Sequence, residues 1–431
     1  MRLFAVSGNP ILHSKSPFIF NELFKANHID AHYARIGPEN TEELFFLAEH
    51  LGLEGINITS PFKESVFPYL DDWDDQVQRT GSVNTAVFKA KRKKGFNTDI
   101  DGVIQPLLKR GFALSSRKVV ILGAGGAGKA AALALRSQGA KVVILNRTEK
   151  KAIDVASRMG GAASGLNSLR IHLKDAFLVV NTIPGIKPSL NDLSPGNKPV
   201  FFDAVYNPSS LEIFCRRRGF PFIPGEEWLL SQAGRSYEIF IGIKPEIDQW
   251  DPISFNNYDS KNTRKNISLI GFMGCGKTSL GRPLARKLGF SFIDTDKEIE
   301  KKEGMTVSRI FDLKGEAYFR EKEREIISGL KGRKNMVMAC GGGAVLDEEN
   351  RRILRKNSFV IWLFNTPEES IRRLRGKIRP LLEKDDPADA AEKIFRHRKE
   401  KYFLASDLII SSQKKIKEVV SRAYEEVSRM F

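Results

Sequence analysis

Gly271-Phe272-Met273-Gly274-Cys275-Gly276-Lys277-Thr278 sets two glycines, a lysine and a hydroxyl at the spacing G-x-x-x-x-G-K-[ST]. Such a loop cradles phosphates with its backbone N–H groups, reaches the β and γ oxygens with its lysine, and offers its hydroxyl to Mg²⁺. ATP is therefore the expected nucleotide, contacted by Gly274, Cys275, Gly276, Lys277, Thr278 and Ser279. A second glycine-rich run, Gly123-Ala124-Gly125-Gly126-Ala127-Gly128, follows the apolar stretch Val119 to Leu122. Strand, glycine turn and helix in that order suit a dinucleotide, whose pyrophosphate sits at the helix N-terminus. An acidic residue closing the next strand would bond a ribose 2′-hydroxyl and repel a 2′-phosphate. The chain instead has Asn146-Arg147-Thr148, which favours NADP(H) over NAD.

These loops need strands before them and helices after them. Strand-like apolar runs alternate with helical stretches throughout, the pattern of parallel sheets with crossover helices, so the expected class is α/β. A polar, aperiodic segment, residues 251–265, separates the two phosphate loops and is predicted to be an interdomain linker. The predicted organisation is a substrate lobe over 1–105, completed by a helical segment over 226–250. A Rossmann NADP-binding domain over 106–225, the linker, and a P-loop domain with a parallel sheet over 266–431 complete the chain; the resemblance given below implies that this last domain is a kinase.

Composition narrows the partners. The chain has 431 residues, 41% of them hydrophobic, and a formal charge of +17. No apolar run approaches the roughly 20 residues of a membrane span. The N-terminus lacks the pattern of a signal peptide, so the expected location is the cytoplasm. Three irregularly spaced cysteines, Cys215, Cys275 and Cys340, suit reduced thiols better than a disulfide framework or zinc site. The basic excess fits phosphorylated and carboxylated small molecules. Its densest run, Lys91-Arg92-Lys93-Lys94, reads as a solvated hairpin turn, without the aromatic interleaving of a nucleic-acid surface. No nucleic-acid or membrane partner is expected, and the sequence leaves the oligomeric state open.

Short polar clusters punctuate the first 250 residues: Ser14-Lys15-Ser16-Pro17, Asn57 to Lys63, Ser82 to Thr85, and Asn97 to Gly102. Singly, each can be a turn, and Ser16 can cap a helix that Pro17 starts. In order and spacing they resemble shikimate dehydrogenase, and the likeness continues through the NADP loop to Tyr206-Asn207-Pro208 and Ser231-Gln232-Ala233. The resemblance implies NADP-dependent, reversible reduction of 3-dehydroshikimate to shikimate, with Lys63 and Asp99 as the catalytic pair. Ser14, Ser16, Thr59, Asn84, Tyr206 and Gln232 match its substrate positions. Elementary chemistry agrees, since hydride addition to a carbonyl leaves an oxygen that needs a proton donor, and a lysine oriented by a carboxylate is one. Quinate or a related cyclic polyol is the alternative substrate.

After residue 266, Phe292 to Asp296, Gly315 to Arg320, Cys340 to Val345, Arg379-Pro380-Leu381-Leu382 and the Arg398 to Tyr402 segment together resemble shikimate kinase. That likeness implies Asp294 and Thr278 at Mg²⁺ and Asp296 at the accepting hydroxyl of shikimate. It also implies Arg320 and Arg398 at the substrate carboxylate, with Gly342 and Gly343 allowing close approach. Lys277, Asp296 and Arg379 become the catalytic groups, Arg379 on a lid. The two implied reactions are consecutive. A thiol at Cys275 beside Lys277 would also expose the loop to oxidation.

Overall fold

The computed structural model describes residues 1–90, 92–186, 198–206, 209–246, 264–374, 386–428 and 430. The architecture is mixed α/β, built on parallel strands joined through helices. By contacts the chain divides into two units: Met1–Pro17, His28–Leu53 and Lys261–Phe431 form one, and Phe18–Asn27 with Glu54–Ser260 form the other.

In the first unit the strands run in the order Ser291–Asp294, Met336–Ala339, Asn266–Ile270, Phe359–Phe364, Leu408–Ser411, Ala31–Ile36, Arg2–Ser7, and every neighbouring pair is parallel. Asn266–Ile270 and Phe359–Phe364 are buried along their whole length, as expected of strands covered on both faces. Strand Asn266–Ile270 ends at the phosphate loop, where Gly271, Gly274 and Gly276 take φ values of 142°, 76° and 95°. Side chains rarely adopt these angles, so the glycines let the chain double back into the helix Lys277–Leu288.

In the second unit a sheet runs Phe222–Ile223, Val200–Asp203, Leu178–Asn181, Lys118–Leu122, Lys141–Asn146, Ala162–Gly165, again parallel throughout. Alternation along Lys118–Leu122 serves two cores. Val119 and Ile121 pack with Ala131 and Trp228, and Val120 and Leu122 with Leu173 and Phe201. At the turn that follows, a Cβ on Gly128 would collide with the Gly123 carbonyl oxygen, so only glycine lets the helix Gly126–Ser137 begin this close to the strand.

The rest of the second unit carries the strands Gly55–Ile58, Thr85–Lys89, Arg92–Phe96 and Asp72–Trp73. Here the basic run departs from the expected turn. Lys89 pairs with Arg92, so Arg92 to Lys94 belong to the second strand of the hairpin; Lys91 lies outside the described residues. Lys94 pairs with Asp72 at 2.9 Å and the Lys93 amide donates to Asp71, so cross-strand partners hold these cations in an extended strand. No helix among the described residues is long and apolar enough to cross a membrane.

Candidate active sites

The first cleft is organised by the helix Asp99–Lys109. It packs against the helix Gly225–Ile241, where a Cβ on Gly102 would meet the Trp228 ring at 2.5 Å. Its first residue, Asp99, is 2% exposed, and the positive helix start favours its carboxylate there. Lys63 Nζ lies 2.5 Å from Asp99 Oδ2 and keeps 18% of its side chain open to solvent. A charged donor is thus aimed by a buried acceptor while remaining reachable, the arrangement of a positioned proton donor.

Behind the pair lies a polar network. Asn84 accepts the Thr98 amide at 2.8 Å and donates to Gln232 Oε1 at 3.2 Å. Ser236 Oγ accepts from Asn57 at 2.9 Å and stands 2.9 Å from Thr85 Oγ1 and 3.0 Å from Thr98 Oγ1. Each hydroxyl and amide locks the next, so the rotamers of Asn84 and Gln232 are fixed from behind. Asn57, Thr98 and Ser236 had no assigned role in the sequence reading. Thr59 closes the strand Gly55–Ile58, half-buried, its carbonyl accepting from the Phe62 amide at 3.0 Å. Tyr206 follows the strand Val200–Asp203 and is half-buried, and Asn207 and Pro208 lie outside the described residues.

The dinucleotide loop adjoins Lys63. A Cβ on Gly126 would stand 2.8 Å from Ser82 Oγ and 3.3 Å from Lys63 Cδ, whereas one on Gly125 would meet nothing within 4 Å. Gly125 therefore fronts open space at the helix start, as a pyrophosphate cradle requires. Ala124 and Gly125 line a cavity of about 300 Å³ together with Lys129, Lys151 and Arg158, cations that the sequence reading passed over. Ala127 lies half-buried in the first turn of the helix. Asn146 donates to the Thr148 carbonyl at 3.0 Å, and Arg147 and Thr148 are exposed at the strand end.

Ser14 and Ser16 belong to the first unit. Both are buried; Ser14 Oγ accepts the Ser16 amide at 3.3 Å and Arg35 holds the Ser14 carbonyl at 2.6 Å.

The second cleft, about 400 Å³, opens over the phosphate loop. Lys277 Nζ donates to the Gly271 and Phe272 carbonyls, each at 2.9 Å. Gly274, Gly276 and Ser279 line the cleft, and Thr278 Oγ1 donates to Asp294 Oδ2 at 2.7 Å. A hydroxyl beside a carboxylate is an oxygen donor set that fits Mg²⁺, which takes its remaining ligands from phosphate and water. Among the described residues no group of three or more His, Cys, Asp or Glu side chains could hold a metal alone. Cys275 is 1% exposed, with Lys277 Nζ at 3.7 Å from its sulfur. The expected lysine neighbour is present, and the thiol itself is buried.

At the other end of the cleft the helix Val307–Ser328 breaks at Gly315, which takes φ 80° and ψ 167°, so a fresh helical segment presents Arg320 and Glu323. Arg320 donates to Glu323 at 2.7 Å and Glu316 at 2.9 Å. Glu323 is fully buried, and desolvation raises its pKa from 4.5 to about 7 against the opposing pull of Arg320. Asp296 converges on the same spot: a Cβ on Gly341 would collide with Glu323 Oε1 and lie 2.6 Å from Asp296 Oδ1. A Cβ on Gly343 would strike the Arg320 guanidinium. Arg398, only 5% exposed, turns inward and donates to the Gly342 carbonyl at 3.2 Å, which also accepts from Tyr402. Arg396 points to solvent on Glu392. Arg379, with Pro380, Leu381 and Leu382, lies outside the described residues. Glu323 was visible one turn after Arg320, the i,i+3 spacing of a helical ion pair, and that spacing was the available signal of its role.

Fold and loops together define a dinucleotide-dependent oxidoreductase module followed by a P-loop kinase module. Family profiles match at residues 6–86 (shikimate dehydrogenase substrate binding domain), 106–192 (shikimate / quinate 5-dehydrogenase) and 273–428 (shikimate kinase). The shikimate dehydrogenase (NADP(+)) of Methanosarcina mazei is 34% identical over 269 residues, spanning 57% of this chain and 95% of that protein. The shikimate kinase of Hahella chejuensis is 41% identical over 153 residues, 35% of this chain and 80% of that protein. A crystal structure of shikimate 5-dehydrogenase from Thermus thermophilus, in complex with NADP(H) and shikimate, superposes with a TM-score of 0.53 at 30% identity, covering 60% of this chain and 98% of the other. The chain belongs to the shikimate dehydrogenase family through its N-terminal portion and to the shikimate kinase family through its C-terminal portion.

Proposed function

We propose that this chain reduces 3-dehydroshikimate to shikimate with NADPH in its first 250 residues and phosphorylates shikimate to shikimate 3-phosphate with Mg-ATP in residues 266–431. The observation that carries the reading is the Lys63–Asp99 pair beside an open glycine loop, on the same chain as a phosphate loop facing Asp296, Arg320 and Arg398.

Bound NADPH supplies the hydride. Lys63 gives its proton to the oxygen that gains charge as the carbonyl becomes an alcohol, and Asp99 orients that proton and stabilises the ammonium. Ser14, Ser16, Thr59, Asn84, Tyr206 and Gln232 hold the hydroxyls and carboxylate of the substrate. The Gly123 to Ala127 turn takes the pyrophosphate, and Asn146, Arg147 and Thr148 take the 2′-phosphate.

In the kinase portion Thr278 and Asp294 hold Mg²⁺, and Lys277 leaves its loop carbonyls for the β and γ oxygens. Asp296 accepts the proton of the attacking hydroxyl. Arg320 and Arg398 grip the substrate carboxylate over Gly342 and Gly343, and Arg379 steadies the transferring phosphoryl group. The buried free thiols suit a reducing compartment, and we place the chain in the cytoplasm.

The test is one vessel containing 3-dehydroshikimate, NADPH and ATP, with NADPH loss and ADP formation followed separately. ADP should form only after NADPH is consumed, and added shikimate should remove that lag. A faster NADP-linked rate on quinate than on shikimate would reassign the first substrate.

A further inference from the structure

The last helix of the kinase portion, Ile416–Val427, places Arg422 and Glu426 one turn apart, and neither is needed by the kinase cleft. Both face the N-terminal segment that packs in the same unit. Arg422 Nη1 meets Glu43 Oε2 at 2.5 Å, each side chain 9% exposed, while its Nη2 donates to the Ser411 carbonyl. Glu426, 1% exposed, accepts the Ile11 amide at 3.0 Å on Oε1 and the Leu12 amide at 3.2 Å on Oε2. Alongside, the strand Leu408–Ser411 pairs with Ala31–Ile36 at Ile409 and Ile36, and the Gly37 amide donates to the Ile409 carbonyl at 3.0 Å.

Two adjacent amides at a bend, that of Ile11 buried and that of Leu12 half-buried, have no strand to pair them and need an acceptor, and a carboxylate serves both at once. The turn they start is the one that matters. The Ile11 carbonyl accepts the Ser14 amide at 3.0 Å, so fixing Ile11 and Leu12 fixes where Ser14 and Ser16 begin. Arg35, on the strand that the kinase portion covers, holds the far side of the same turn through the Ser14 carbonyl.

We propose that Glu426, on the kinase portion, is a positioning residue for the dehydrogenase reaction: its carboxylate holds the Ile11–Ser14 turn in the geometry that presents Ser14 and Ser16 to the substrate. The inference rests on the reading of Ser14 and Ser16 as substrate contacts. It makes the dehydrogenase activity of this chain depend on a residue more than 400 positions away, on the other enzyme.

The test compares Glu426→Gln and Ser14→Ala in the full chain. Glutamine keeps the shape but turns one acceptor oxygen into a donor facing amide donors. KM for shikimate in the NADP-linked assay should rise roughly five- to tenfold, with kcat within about twofold and kinase kcat and KM unchanged. A rise in KM for Ser14→Ala but not for Glu426→Gln overturns the positioning role alone. A silent Ser14→Ala overturns the substrate role of that serine, and the inference with it. Should Glu426→Gln fail to accumulate, hydrogen exchange on the wild-type chain decides. The Ile11 and Leu12 amides should exchange as slowly as those of Arg2–Ser7, and exchange at loop rates overturns the clamp.

Discussion

In the first cleft Lys63 already stands against Asp99, and Asn84 is bonded to Gln232 and to the amide and hydroxyl of Thr98 behind it. In the second cleft the charges are engaged elsewhere: Lys277 on two loop carbonyls, Thr278 on Asp294, Arg320 on two glutamates and Arg398 on the Gly342 carbonyl. A hydride transfer needs one proton at one atom, so a preset pair suffices. Phosphoryl transfer must neutralise a polyphosphate and a carboxylate that arrive together. Its cations stand in internal pairs that keep buried charge satisfied, and on the proposed reading ligands would replace those partners.

The severest challenge to this contrast is to remove the lysine from each cleft in turn. Lys63→Ala should lower dehydrogenase kcat by about 10³-fold, and Lys277→Ala should cost the kinase roughly 10²- to 10³-fold, each leaving the other rate within about twofold. Rates measured separately on one preparation check this, and joint loss of both activities from either change would refute two independent sites.

A smaller effect probes how preset the first cleft is. Ser236→Ala leaves Asn57, Thr85 and Thr98 each short of a partner, which should cost roughly 1–3 kcal/mol of stability. It should also raise dehydrogenase KM several-fold through Asn84, with kinase constants unmoved; urea unfolding and steady-state kinetics read the two parts.

A pH-dependent effect of similar size probes the internal pairing of the second cleft. Burial makes the folded protein bind the Glu323 proton more tightly than the unfolded chain does. This stabilisation is complete below about pH 4.5 and is lost as pH rises through about 7. Glu323→Gln should remove that slope, so that wild-type stability falls relative to the variant by on the order of 3 kcal/mol across the window. Urea midpoints between about pH 5 and 8 measure it, and parallel profiles would show that Glu323 does not titrate there.

Both phosphate loops were legible because their chemistry is local: a strand, a glycine turn and a helix lie within about 25 consecutive residues. The parallel α/β class followed from the same alternation. What stayed hidden is long-range. Ser236 reaches Thr85 across 151 positions, and no periodicity marks a serine in a helix as the centre of a network. Arg396 and Arg398 are two residues apart and chemically equal, and the helix Pro387–Ala405 alone decides that Arg398 turns inward. Arg92 to Lys94 read as a turn because charge was weighed above hairpin register, and Asp71 and Asp72 supplied the partners that let the cations lie in a strand.

The pairing of Leu408–Ser411 with Ala31–Ile36 also governs how the chain fares in a crowded solution. Each strand would otherwise end its sheet with a row of unpaired amides and carbonyls, a template onto which foreign strands add. Where Ile409 meets Ile36 and the Gly37 amide, each edge covers part of the other. Fusing the two portions thus brings two exposed margins together along a single seam.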